Sequence, residues 1–95
     1  MDYPKIKSVK AIPDYKLRVV FLSGDVKIYD CKPLFEKDAF YPLKNEGFFR
    51  TVKVDIGGYG IIWDDEIDLS ESELWINGYV DISSVAEPGT EYKAK

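Results

Sequence analysis

Residues 16–22 constrain the fold more than any other stretch of the chain. Leu17, Val19 and Phe21 fall on one side of a two-residue period, and Lys16, Arg18 and Val20 fall on the other. Only an extended strand with one face buried sorts side chains this way. Turn residues bound it at both ends. Pro13-Asp14 precedes it, proline presetting φ and aspartate tolerating turn geometry. Ser23-Gly24-Asp25 follows, glycine supplying a positive φ. With Lys5–Ile12 before and Val26–Tyr29 after, residues 5–29 read as a three-stranded antiparallel meander.

Beyond residue 29 the pattern changes. Asp30 stands ahead of Pro33 as a cap for a one- or two-turn helix anchored by Leu34 and Phe35. Tyr41–Phe49 reads as another short helix or helical turn, with Leu43, Phe48 and Phe49 as anchors. Thr51–Asp55 and Tyr59–Trp63 flank Gly57-Gly58 as a second hairpin. Ser70-Glu71-Ser72-Glu73 is a capping box, which starts a helix through Leu74, Trp75 and Ile76 and ends it at a left-handed Gly78. Asn77-Gly78 also suits a type I′ hairpin between residues 74–76 and 79–82. The helix is the preferred reading, and the hairpin stays open. The expected fold class is therefore α+β: the meander, a second hairpin and two or three short helices. The expected core is Leu17, Val19, Phe21, Val26, Ile28, Leu34, Phe35, Leu43, Phe49, Val52, Val54, Ile62 and Trp63.

Length sets the domain count. Ninety-five residues build one core, with the compact part over about 5–82 and a tail at 86–95, rich in turn residues, that is expected to be mobile. A composition 45% hydrophobic and 15% aromatic suits a folded domain and not a disordered one. No internal repeat is visible.

Composition also removes functions. With no histidine and one cysteine, Cys31, the chain lacks an imidazole base, a Cys/His zinc set and an internal disulfide. The acidic run Asp64, Asp65, Glu66, Asp68, Glu71 and Glu73 fails the EF-hand register, with Leu69 where glycine belongs and Trp75 where glutamate belongs. A solvated loop leading into a helix start explains it without metal. Gly57-Gly58-Tyr59-Gly60 lacks the Gly-Lys-Ser/Thr ending of a phosphate loop. No G-x-S-x-G or S-x-x-K is present, and nothing singles out a catalytic pair among 17 acids. The expectation is no enzyme, no cofactor and no metal.

The net charge of −4 is unevenly placed. Residues 1–50 hold ten basic and seven acidic side chains, and residues 51–95 hold three and ten. Such asymmetry suits an unidentified protein partner or self-association. Seven tyrosines and two tryptophans exceed what so small a core hides, and aromatics left at the surface favour interfaces. Tyr15, Lys16, Arg18, Tyr29, Tyr59 and Trp75 are the candidate interaction surface. The leading function is a non-enzymatic protein-interaction or regulatory accessory module. The alternative is a nucleic-acid-associated regulator using the basic, tyrosine-containing face of the N-terminal sheet. The start MDYPKIKSVK has no apolar secretory segment, and the longest fully apolar run, Val19–Leu22, is too short for a bilayer. With one cysteine, the expected location is the cytoplasm, with no membrane association.

Several of these segments carry a family resemblance. Ala11-Ile12-Pro13-Asp14-Tyr15-Lys16-Leu17 matches an Ala-x-Pro-Asp-Tyr-x-Leu turn and strand, and Phe21, Gly24 and Val26 match a Phe-x-x-Gly-x-Val hairpin. Pro33-Leu34-Phe35, Phe40-Tyr41-Pro42-Leu43, Phe49 to Asp55, Ile61-Ile62-Trp63 and Asp68-Leu69 with Leu74 follow in order. Over most of residues 5–76 the chain resembles domain-of-unknown-function family 2442 of small bacterial proteins. It departs at Asp64-Asp65-Glu66, where the family usually has Pro-Asn-Gly, and in a tail extending past the usual end. The resemblance implies an α+β fold on antiparallel strands with short helices. It implies no established activity. Members resemble accessory proteins, some linked to helix-turn-helix domains or to other small proteins, which lends weak support to a binding or regulatory role.

Overall fold

The computed structural model describes residues 3–81. The fold is α+β, built on two antiparallel sheets. β1 (Ile6–Ile12), β2 (Lys16–Phe21) and β3 (Val26–Asp30) form the expected meander, and β7 (Tyr79–Val80) adds to the far side of β3. β4 (Lys53–Val54), β5 (Gly60–Asp64) and β6 (Ile67–Ser70) form the second sheet. Between the sheets run two 3₁₀ segments, Lys32–Glu36 and Asp38–Lys44, and the single-turn helix α1 (Glu46–Phe49). The helix α2 (Glu71–Asn77) leads from β6 into β7.

The alternation of β2 does what its sequence demands: Leu17, Val19 and Phe21 are fully buried, and Lys16, Arg18 and Val20 are only half-buried. The register Leu17↔Tyr29 and Arg18↔Ile28 carries this parity into β3. Tyr29 therefore faces the core with Leu17, while Ile28 shares the outer face with Arg18. One buried cluster draws on both sheets, joining Ile6, Leu17, Phe21 and Tyr29 to Phe49, Ile61, Trp63, Ile67, Leu69 and Leu74.

Several expectations need correction. In β5, Ile61 and not Ile62 joins Trp63 in the core, because neighbouring strand residues face opposite sides. Val26, Phe35, Val52 and Val54 are half-buried. The strand expected over residues 51–55 pairs only at Lys53–Val54. β6 was not expected at all. Its Ile67 and Leu69 point inward, and its Asp68 and Ser70 outward. Residue Asp30 acts one position earlier than a cap: Cys31 is the N-cap residue, and Asp30 Oδ1 accepts from the Lys32 N–H at 3.0 Å.

The helix reading of residues 70–77 holds, and the rival hairpin is absent: β7 pairs with β3 instead of folding back on residues 74–76. Ser70 Oγ accepts from the Glu73 N–H at 3.2 Å, as the capping box requires. Gly78 is not left-handed, however; its φ is −79° and its ψ is 159°. Glycine is needed there for space. A Cβ would fall 2.5 Å from the Leu74 carbonyl oxygen and 3.3 Å from that of Ile28. The tail at 86–95 lies outside the described residues.

Candidate functional site

Among the described residues, the turn between β1 and β2 holds the non-glycine residues of positive φ. Asp14 and Tyr15 both have positive φ, 70° and 57°. A bulky residue seldom adopts this conformation, which costs roughly 1–2 kcal/mol for each such L-residue. Side-chain contacts hold the turn in place. The Tyr15 hydroxyl donates to the Lys44 carbonyl at 2.8 Å. Its ring meets Phe35 and Phe49 edge-on, with centroids 5.2 and 5.4 Å away. Lys32 Nζ donates to the Asp14 carbonyl and carboxylate at 2.8 and 2.9 Å. That bond, then the ammonium charge, holds the Asp14 carboxyl below its ordinary pKa; the same bond, helped by the Asp30 carboxylate, holds the Lys32 ammonium above its own against the cost of desolvation. A cleft of about 290 Å³ lies against this turn, closed on its other side by Glu46, Phe49 and Arg50.

The other five candidate residues have separate surroundings. Lys16 and Arg18 share the outer face of β2, where Arg18 Nε pairs with Asp81 at 3.1 Å. Tyr29 is buried, and its hydroxyl donates to Glu73 Oε2 at 2.8 Å. Burial, then the bond to Glu73, pushes this phenol well above its ordinary pKa. Tyr59 is exposed beside the Lys5 ammonium, 4.9 Å from its ring centroid. Trp75 is half-buried, edge-on to Phe21 at 5.1 Å and covered by Lys27 Nζ 4.0 Å above its ring. Lys27 also donates to the Trp75 carbonyl at 2.6 Å, which fixes this side chain against α2.

Exposed apolar residues that the sequence did not single out stand close to Trp75. Ile76, Tyr79 and Val80 are 62%, 51% and 54% exposed. They fall within five consecutive residues at the end of α2 and along β7, the last strand of the first sheet among the described residues. No local signal marked them, since Ile76 reads as an ordinary helix residue. Below them a groove of about 400 Å³ opens between α2, β7 and the first 3₁₀ segment.

Nucleophilic and metal chemistry have few groups to use. Cys31 is buried, and burial pushes its thiol up to about 12. Among the described residues, no group of three His, Cys, Asp or Glu side chains could hold a metal ion. Two acids of the run, Asp64 and Glu73, accept side-chain hydrogen bonds. Asp64 Oδ1 accepts from the N–H groups of Glu66 and Ile67, both at 2.9 Å, and so shapes the β5–β6 turn. No described helix is long and apolar enough to cross a membrane.

No curated protein and no solved structure matches the chain. A family profile, described as a protein of unknown function (DUF2442), matches residues 6–78. That match takes in β1 to β6 and α2, most of the chain, so the chain belongs to the DUF2442 family.

Proposed function

We propose that the chain is a non-enzymatic module that binds another protein through the surface formed by α2 and β7. The observation that carries this reading is the exposed apolar side chains of Ile76 and Val80 beside the half-buried Trp75, with Tyr79 exposed on the other face of β7. Clustered apolar and aromatic surface is what the centre of a protein interface contains. The lack of histidine and the buried, raised thiol of Cys31 argue in the same direction by removing an imidazole base and a thiolate nucleophile.

The nucleic-acid alternative draws less support. Arg18 is paired with Asp81, Lys32 with Asp14 and Asp30, and Lys27 with the Trp75 carbonyl, so part of the basic charge is already engaged. The test is capture from lysate of the producing cells with the wild-type chain and with Ile76→Glu. A protein retained near one-to-one by the wild type and lost by the variant supports the reading. Equal capture by both chains, or capture of nucleic acid alone, overturns it.

A further inference from the structure

We propose that the groove between α2, β7 and the first 3₁₀ segment receives the guanidinium of an arginine side chain carried by the partner; this rests on the protein-binding reading above. The lining side chains converge on that chemistry. Glu73 from α2 contributes a half-buried carboxylate. Tyr29 donates its hydroxyl to Oε2 at 2.8 Å and so fixes the carboxylate's direction. One hydroxyl uses a fraction of the lone pairs that a carboxylate offers. Asn77, one turn further along α2, brings an amide oxygen to the same rim. Tyr79 lines the edge of the groove from β7, where it pairs with Ile28. Pro33 and Leu34 give an apolar floor for the aliphatic stem.

Arginine fits better than lysine. A planar fork can donate to Glu73 and Asn77 together, whereas an ammonium is a point charge that remains strongly hydrated. The second lining carboxylate, Asp30, contributes less, because Lys32 already sits 3.2 Å from its Oδ1. Lys37 is the one positive side chain among the lining residues, and it opposes a cation. Its removal should therefore strengthen binding.

The experiment is a backbone-amide NMR titration of the full chain with N-acetyl-arginine amide. The neutral isostere N-acetyl-citrulline amide and N-acetyl-lysine amide are run at matched ionic strength. The expected result is saturable shifts confined to residues 29–37 and 73–79 with the arginine probe, weaker shifts with lysine and none with citrulline. Glu73→Gln keeps an oxygen for Tyr29 but removes the charge, and should weaken binding about tenfold or more at unchanged fold. Lys37→Met should tighten it. Equal shifts with citrulline, shifts mapping elsewhere, no shift at all, or undiminished binding by Glu73→Gln would overturn the proposal. None of those results bears on capture through Ile76, so this groove can fail while the wider binding surface stands.

Discussion

The indole N–H of Trp63 donates to the Phe49 carbonyl at 2.9 Å, and the two rings stack with centroids 6.1 Å apart. This contact ties the second sheet to α1 and, through Phe49, to the Tyr15 turn of the first sheet. Trp63→Phe keeps an aromatic ring but leaves a buried carbonyl without its donor, which should cost about 1–3 kcal/mol. Trp63→Ala or Phe49→Ala should cost about 3–5 kcal/mol, a large share of a small domain's stability. Urea denaturation of the three variants checks the order. A Trp63→Ala chain as stable as the wild type would show that the core is misassigned.

The Tyr15 turn should respond unevenly to substitution. Tyr15→Phe loses one hydrogen bond, to the Lys44 carbonyl, and should cost about 0.5–1.5 kcal/mol. Tyr15→Ala keeps the strained left-handed backbone while losing the packing against Phe35 and Phe49, and should cost about 3–5 kcal/mol. Similar losses in the two variants would mean that the ring does not hold the turn.

At Gly78 the space left by α2 and β3 sets the limit. Gly78→Ala would drive a Cβ against the Leu74 and Ile28 carbonyls, so α2 or β7 must shift. The expected loss is about 1–3 kcal/mol, the range for overpacking. Hydrogen exchange should show it first at the amides of residues 79–81. Unchanged protection there would contradict the close approach.

Cys31 gives a pH dependence with a definite sign. Burial raises its thiol from an ordinary value of 9.0 to about 12. The unfolded chain therefore releases this proton first as pH rises. The stabilising contribution is complete below about pH 9 and is lost between there and about 12. In the folded chain the thiol should resist a disulfide reagent at pH 8 and react fully in denaturant. Rapid labelling of the native chain would contradict its burial.

Much of the first sheet was legible because β2 alternates strictly and turn residues bracket it. The second sheet was harder to read. Ile67-Asp68-Leu69-Ser70 alternates just as clearly, but it lies within a dense run of acids whose charge reads as solvated loop. β7 has only two residues and exists through long-range pairing with Lys27 and Ile28, which no local pattern encodes. The positive φ of Tyr15 is likewise imposed by Phe35, Phe49 and Lys44 from elsewhere in the chain. Among the candidate surface residues, Tyr59, expected to open a strand, lies just before β5 and is exposed, whereas Tyr29 is buried by the parity that β2 passes to β3. The exposure of Ile76, Tyr79 and Val80 depends on how α2 lies across the sheet, and composition alone does not report it.

The most direct test of the account is quantitative capture from the producing cells, comparing the wild-type chain with Ile76→Glu and with a control substitution on another surface, Tyr41→Glu. Tyr41 is as exposed as Ile76 but lies outside the α2–β7 surface. The account predicts one protein held near one-to-one at moderate salt by the wild type and by Tyr41→Glu, and lost by Ile76→Glu. Retention of the same protein by Ile76→Glu, or no protein held above background by the wild type, would contradict it.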